Sequence, residues 1–350
     1  MIKTSKQLKD LVGNRAHGDS AKSMLLLRNY AMERFLERLS ASKYRNCFIL
    51  KGGMLISAMV GIDSRATMDI DTTLRNYPLN CESAEQIVRQ IADVEIDDKI
   101  SFVIKKAEEI MEDSEYQGVR LSLDAYLDKT RIPLKIDIST GDVITPCEIS
   151  FSYQLMFENR TIPLLAYPPE TVLAEKLETI LSRGEANTRL RDFYDVYILQ
   201  REDFVATPDA LCHALLATCR KRGHEDLLHT YAAILDGVRQ SGAMRTQWMK
   251  YQSDFDYAAG IAWDTVVDTV ETLCMKTLDA PVFGDELPQE ESQCGGAGAS
   301  ACKSVHGEGH GKSDFVHAGV QGSLLAAECG GMHREHGAAE AGLRSGAARL

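Results

Sequence analysis

No run of 18 apolar residues occurs anywhere in the chain, which excludes a helix long enough to cross a bilayer. Lys3, Lys6 and Lys9 open the sequence without an apolar stretch behind them, so a cytoplasmic protein without a secretory leader is expected. The nine cysteines are odd in number and scattered, with no Cys-x-x-Cys pair. That speaks against a disulfide framework and suits a reducing compartment. Internal repeats are lacking too, which leaves out solenoids and arrays. What remains is a globular chain of 350 residues, long enough for two cores.

Acidic residues are in excess, giving a net charge of −12, but the balance is uneven. Residues 1–60 carry eleven Lys and Arg against four Asp and Glu, a local +7 that leaves −19 on the rest. A basic segment of an acidic protein can still draw a polyanion, because attraction follows local potential. The plainer alternative is a solvated helix surface.

Residues 23–39 predict an amphipathic helix, with Leu25, Met32, Phe35, Leu36 and Leu39 as its apolar stripe and Arg34 and Arg38 outside it. Cys47 to Leu50 is a continuous apolar run suited to a strand buried on both faces. Lys51-Gly52-Gly53 ends it, and Met54 to Val60 predicts a helix stopped by Gly61. Thr67 to Asp71 alternates polar and apolar residues at the strand period. A helix over 83–92 and strands near 100–107, 118–127 and 132–139 follow. From Pro168-Pro169 the pattern becomes helical, first to Arg183 and then near 188–201, 207–221, 225–240 and 259–277. The expected division is an α/β domain over 1–160, a helical domain over 161–287 and a tail over 288–350. That tail holds 13 of the 26 glycines and five of the nine histidines, a composition expected to stay disordered. The spacing of its Cys294, Cys302, His306 and His310 matches no common zinc site.

Three features carry chemistry. Gly52 and Gly53 stand between a buried strand and a helix, where absent side chains let an anion approach the N–H groups of the helix start. Asp69 and Asp71 would project from one strand face, about 7 Å apart at Cα. In Leu134-Lys135-Ile136-Asp137-Ile138 the apolar residues face the core, and Asp137 shares the opposite face with Lys135. If that strand pairs with the first, three carboxylates converge. Without a cation they would repel one another, so divalent metal and phosphate chemistry is the expectation. Taken singly, a Gly-Gly turn or an Asp-x-Asp pair is commonly a plain turn or a solvated edge.

The motifs Phe48-Ile49-Leu50-Lys51-Gly52-Gly53-Met54-Leu55, Arg65 to Asp71, Lys135-Ile136-Asp137, Glu175-Lys176-Leu177 with Arg183, and Arg191-Asp192-Phe193-Tyr194-Asp195 resemble the AbiEii/AbiGii toxin family, relatives of the MenT toxins. The resemblance implies a DNA polymerase β-like nucleotidyltransferase domain with a mixed sheet, followed by helices. It places Asp69, Asp71 and Asp137 as ligands of a two-Mg²⁺ site. Gly52 and Gly53 match the phosphate cradle, where many relatives have Gly-Ser, and Lys176 matches an essential lysine. Asp192 and Asp195 are both candidates for the aspartate of a further motif. From the residues alone, Lys176 could either snorkel or reach phosphate. Arg65 could meet phosphate or form a loop ion pair, and Asp192 and Asp195 could simply pair with Arg189 and Arg191.

Family members are toxins of abortive-infection and toxin–antitoxin systems that bind GTP or add nucleotides to the 3′ end of tRNA. Their antitoxin is a winged-helix protein that acts without a stable complex. The expectation is therefore an NTP-using transferase acting on RNA, with no membrane partner. The alternatives are a GTP-binding interaction protein without transfer, and an enzyme modifying a small hydroxyl compound such as an aminoglycoside.

Overall fold

The computed structural model describes residues 1–111, 117–202 and 207–278. Two helices, α1 (Ser5–Ala16) and α2 (Ser20–Ala41), lead into strand β1 (Phe48–Lys51), helix α3 (Gly52–Val60) and strand β2 (Ile70–Leu74). Helix α4 (Cys81–Ala92) precedes five strands: β3 (Ile100–Met111), β4 (Gln117–Leu127), β5 (Thr130–Ser139), β6 (Ile149–Gln154) and β7 (Thr161–Ala166). Six helices complete the described part: α5 (Pro169–Arg183), α6 (Leu190–Arg201), α7 (Pro208–Arg222), α8 (Leu227–Gln240), α9 (Gly242–Asp254) and α10 (Trp263–Leu278). The α/β class, the mixed sheet and the helical second half are as expected. The tail over 288–350 lies outside the described residues.

The seven strands form one sheet in the order β3-β4-β5-β2-β1-β7-β6. β2 runs parallel to β5 and β1 parallel to β7, while the other neighbours are antiparallel. β6 and β7 pair over six residues, so the expected boundary between 160 and 161 falls inside a hairpin of the sheet. The change to helix comes at Pro169, whose ring suits a first helical turn.

β2 also starts later than expected. Lys51, the last residue of β1, pairs with Asp71, and Ile70 finds Ile136 of β5. Beyond those partners nothing extends the ladder, so Thr67, Met68 and Asp69 form the approach to the strand rather than part of it.

Helix α2 is buried at every residue from Asn29 to Leu39, not along one stripe. It packs against β5, β7 and α4, and polar groups enclosed in this way need partners. Arg34 pairs with Glu37 at 2.8 Å and Glu158 at 3.1 Å, and Arg38 grips Asp98 at 2.7 and 2.8 Å. The expectation that these two arginines lie on a solvated face is therefore corrected: they are internal ties, withdrawn from any polyanion.

Candidate active site

Helix α3 begins on the two glycines, and each has a steric reason to be there. Gly52 has φ +61°, and a Cβ on it would lie 2.3 Å from Asp71 Oδ2. A Cβ on Gly53 would come within 2.6 Å of Thr67 Oγ1 and 3.0 Å of Arg65 Nη1. This crowding accounts for glycine at both positions. The Gly53 N–H donates to Asp71 Oδ2 at 3.1 Å, so the helix start already holds a carboxylate oxygen, as its exposed N–H groups would hold an anion.

Asp71 and Asp137 are register partners on adjacent parallel strands, and their side chains therefore leave the same face. Asp69 stands one residue before β2, half-buried. Burial, and then the charge of Asp137, hold the Asp69 carboxyl above the usual carboxylate range. Asp137 is turned toward Arg120, which was not anticipated from sequence. Nε and Nη2 of Arg120 donate to the two Asp137 oxygens at 2.8 and 2.6 Å. The signal lies in the β4–β5 register, where Arg120 is opposite Asp137.

A second cluster comes from the helices. Lys176 of α5 reaches Asp192 Oδ1 at 2.5 Å and Asp195 Oδ2 at 3.2 Å. Burial disfavours its charge, but the two carboxylates outweigh that and raise its pKa. Arg65 is fully buried, with Nε and Nη2 on Asp195 at 2.8 and 3.1 Å and Nη1 on the Ala66 carbonyl at 2.7 Å. Of its two readings, the ion pair is what is found, though it reaches from the loop to α6. Burial opposes the charge on Asp195 as well, yet Arg65 and Lys176 hold its pKa low. Asp192 and Asp195 thus find partners in Lys176 and Arg65, while Arg191 lies over the Phe255 ring at 5.4 Å. Asp192 Oδ2 is buried without a hydrogen-bond partner among the described residues. Arg65 binds Asp195 while its Nη1 lies beside the place a Gly53 side chain would take, and so links the glycine turn to the helical half.

Among the described residues, no three His, Cys, Asp or Glu side chains are grouped as a preformed metal site. The donor chemistry at the sheet nevertheless suits a hard divalent cation, since hard carboxylate oxygens and close like charges are what Mg²⁺ neutralises.

A family model described as nucleotidyl transferase AbiEii toxin, type IV toxin–antitoxin system, matches residues 34–269. The chain belongs to this family. Membership makes the glycine turn and its carboxylates part of a nucleotidyltransferase-family domain. Among solved structures, JHP933 from Helicobacter pylori is 15% identical with a TM-score of 0.41, the match covering 73% of this chain and 94% of that one. A nucleotidyltransferase-like antigenic protein from Paracoccidioides brasiliensis is 14% identical with a TM-score of 0.31, covering 66% and 93%. No curated protein matches the chain. No helix among the described residues is long and apolar enough to cross a membrane.

Proposed function

We propose that this AbiEii-family protein transfers a nucleotidyl group from an NTP to the 3′ end of an RNA, with tRNA as acceptor, as the toxin of its pair. The observation that carries this is the pairing of Asp71 with Asp137 beside the Gly52-Gly53 helix start. Asp69, Asp71 and Asp137 would hold divalent metal, which supplies charge neutralisation and a more acidic attacking hydroxyl.

The chain's own groups do the rest. N–H groups at the start of α3 take phosphate oxygens. Lys176, steadied by Asp192 and Asp195, meets the triphosphate as a compact cation. Arg65 acts from behind, fixing Asp195 and the glycine turn. The RNA 3′ oxygen bonds to the α-phosphorus, the bond to the bridging oxygen breaks, and pyrophosphate leaves. Asp137, once free of Arg120, is the carboxylate to take the hydroxyl proton. On this proposal the antitoxin is a winged-helix protein that neutralises the toxin without a stable complex.

Incubating the purified protein with each labelled NTP and total tRNA tests the proposal. Labelling by wild type and none by Asp69→Ala is expected. No labelling with any NTP, or equal labelling by the variant, would overturn it.

A further inference from the structure

Four donors converge on one oxygen of Asp142, just after β5. Lys51 Nζ donates to Asp142 Oδ2 at 2.9 Å, Ser139 Oγ donates to the same oxygen at 2.6 Å, Tyr167 OH donates to it at 2.9 Å, and Thr73 Oγ1 donates to it as well. All four donor residues are buried. Thr73 lies two residues beyond Asp71 on β2, and Ser139 two beyond Asp137 on β5. Lys51 is directly opposite Asp71 on β1. Strand alternation therefore puts this cluster on the same face as the paired carboxylates, one pleat along.

Lys51 is also the residue before Gly52, the N-cap position of α3, and makes no side-chain cap there. A buried ammonium at the positive end of a helix is opposed by both desolvation and the helix dipole. An ion pair serving stability alone gains little from such a position, because an apolar replacement avoids both costs. An incoming polyphosphate changes that balance, since it brings negative charge to the same helix start. The surroundings also permit exchange. When Lys51 turns from Asp142 to a phosphate, the carboxylate keeps three hydroxyl donors and is not left bare. Asp195 differs, because its two oxygens hold the fully buried Arg65.

We propose that Lys51 is a further phosphate-contacting residue, meeting the triphosphate at the start of α3, and that Asp142 is the positioning residue holding its ammonium beside Asp71. This rests on the nucleotide-using function above, but not on transfer or on the acceptor.

Calorimetric titration of the full chain with inorganic tripolyphosphate and Mg²⁺ isolates the contact from base, RNA and chemistry. Lys51→Met should weaken binding by about tenfold or more, Lys51→Arg should restore most of it, and Asp142→Asn should fall between. Rescue by arginine is a result that a purely structural ion pair does not produce in a folded protein. Asp142→Asn keeps a side-chain oxygen for the hydroxyls, and so provides a folded variant if Lys51→Met unfolds. Tripolyphosphate binding unchanged in Lys51→Met, or in Asp142→Asn where Lys51→Met is unfolded, overturns the proposal, as does a wild type that binds none. An RNA-labelling assay on the same preparations separates the two ideas. Binding that depends on Lys51, without labelling, sinks the transferase and leaves this contact standing.

Discussion

Arg120 grips Asp137 by both carboxylate oxygens, at 2.8 and 2.6 Å, across the β4–β5 ladder. A guanidinium fork and a divalent cation need the same lone pairs, so the metal binding proposed at Asp137 would compete with this grip. Arg120→Ala should therefore bind Mn²⁺ more tightly in the absence of nucleotide, by about tenfold or roughly 1.4 kcal/mol. Calorimetry on the two proteins measures it. Equal affinities would mean that the arginine does not guard the carboxylate.

Gly52 gives a sharper steric test. Its φ of +61° and the 2.3 Å approach of a Cβ to Asp71 Oδ2 leave alanine no position that spares the carboxylate. Gly52→Ala should lower the transfer rate by about 100-fold, because small displacements of reacting groups are costly. Gly223, at φ +69° with open space around it, is the control. Gly223→Ala should cost about 1 kcal/mol of stability from the left-handed backbone alone and leave transfer intact. Comparable activity in the two variants would refute the assignment of Gly52.

Asp192 and Asp195 separate in the structure although they are equivalent in sequence. Asp195 is wholly buried and holds Arg65, so Asp195→Ala strands a buried guanidinium and should cost about 3–5 kcal/mol. Asp192 shares Lys176 and has a free buried oxygen. Asp192→Ala should keep most of its stability and lose transfer. Thermal melts beside the labelling assay decide this, and the reverse ranking of stabilities would count against it.

The legible elements were those whose pattern is local. β1, β5 and α5 announce themselves by an apolar run, an alternation and a proline start. Helix α1 carries few apolar residues, α9 opens on a glycine, and β7 contains Pro163. None of these three presents a strong period. Asp71 and Asp137 could be set on neighbouring strands because the alternation around each is local. The neighbouring groups could not, because Arg120 reaches Asp137, and Lys51 comes opposite Asp71 and meets Asp142, only through strand register and a turn after β5. Arg34 and Arg38 misled for a related reason. A helix enclosed on several sides buries polar residues as ion pairs, and a one-stripe pattern does not foresee it.

Glu33 of α2 adds a pH dependence of its own. It is buried in α2 and accepts the Met156 N–H with both oxygens, at 3.0 and 3.2 Å, and Asn29 Nδ2 at 2.9 Å. Burial pushes its carboxyl from 4.5 up to about 8, against the pull of the Met156 N–H and Arg34. A folded-state pKa above the unfolded one gives stability that is fully present below pH 4.5 and is lost as pH rises toward about 8. Over that window the unfolded chain ionises Glu33 readily while the folded protein resists. Glu33→Gln cannot ionise, so its Tm relative to wild type should become steadily more favourable between about pH 5 and pH 8. Differences between the two proteins cancel the other titrating groups. A gap in Tm that stays constant across that range would mean that Glu33 is already charged in the folded protein at low pH.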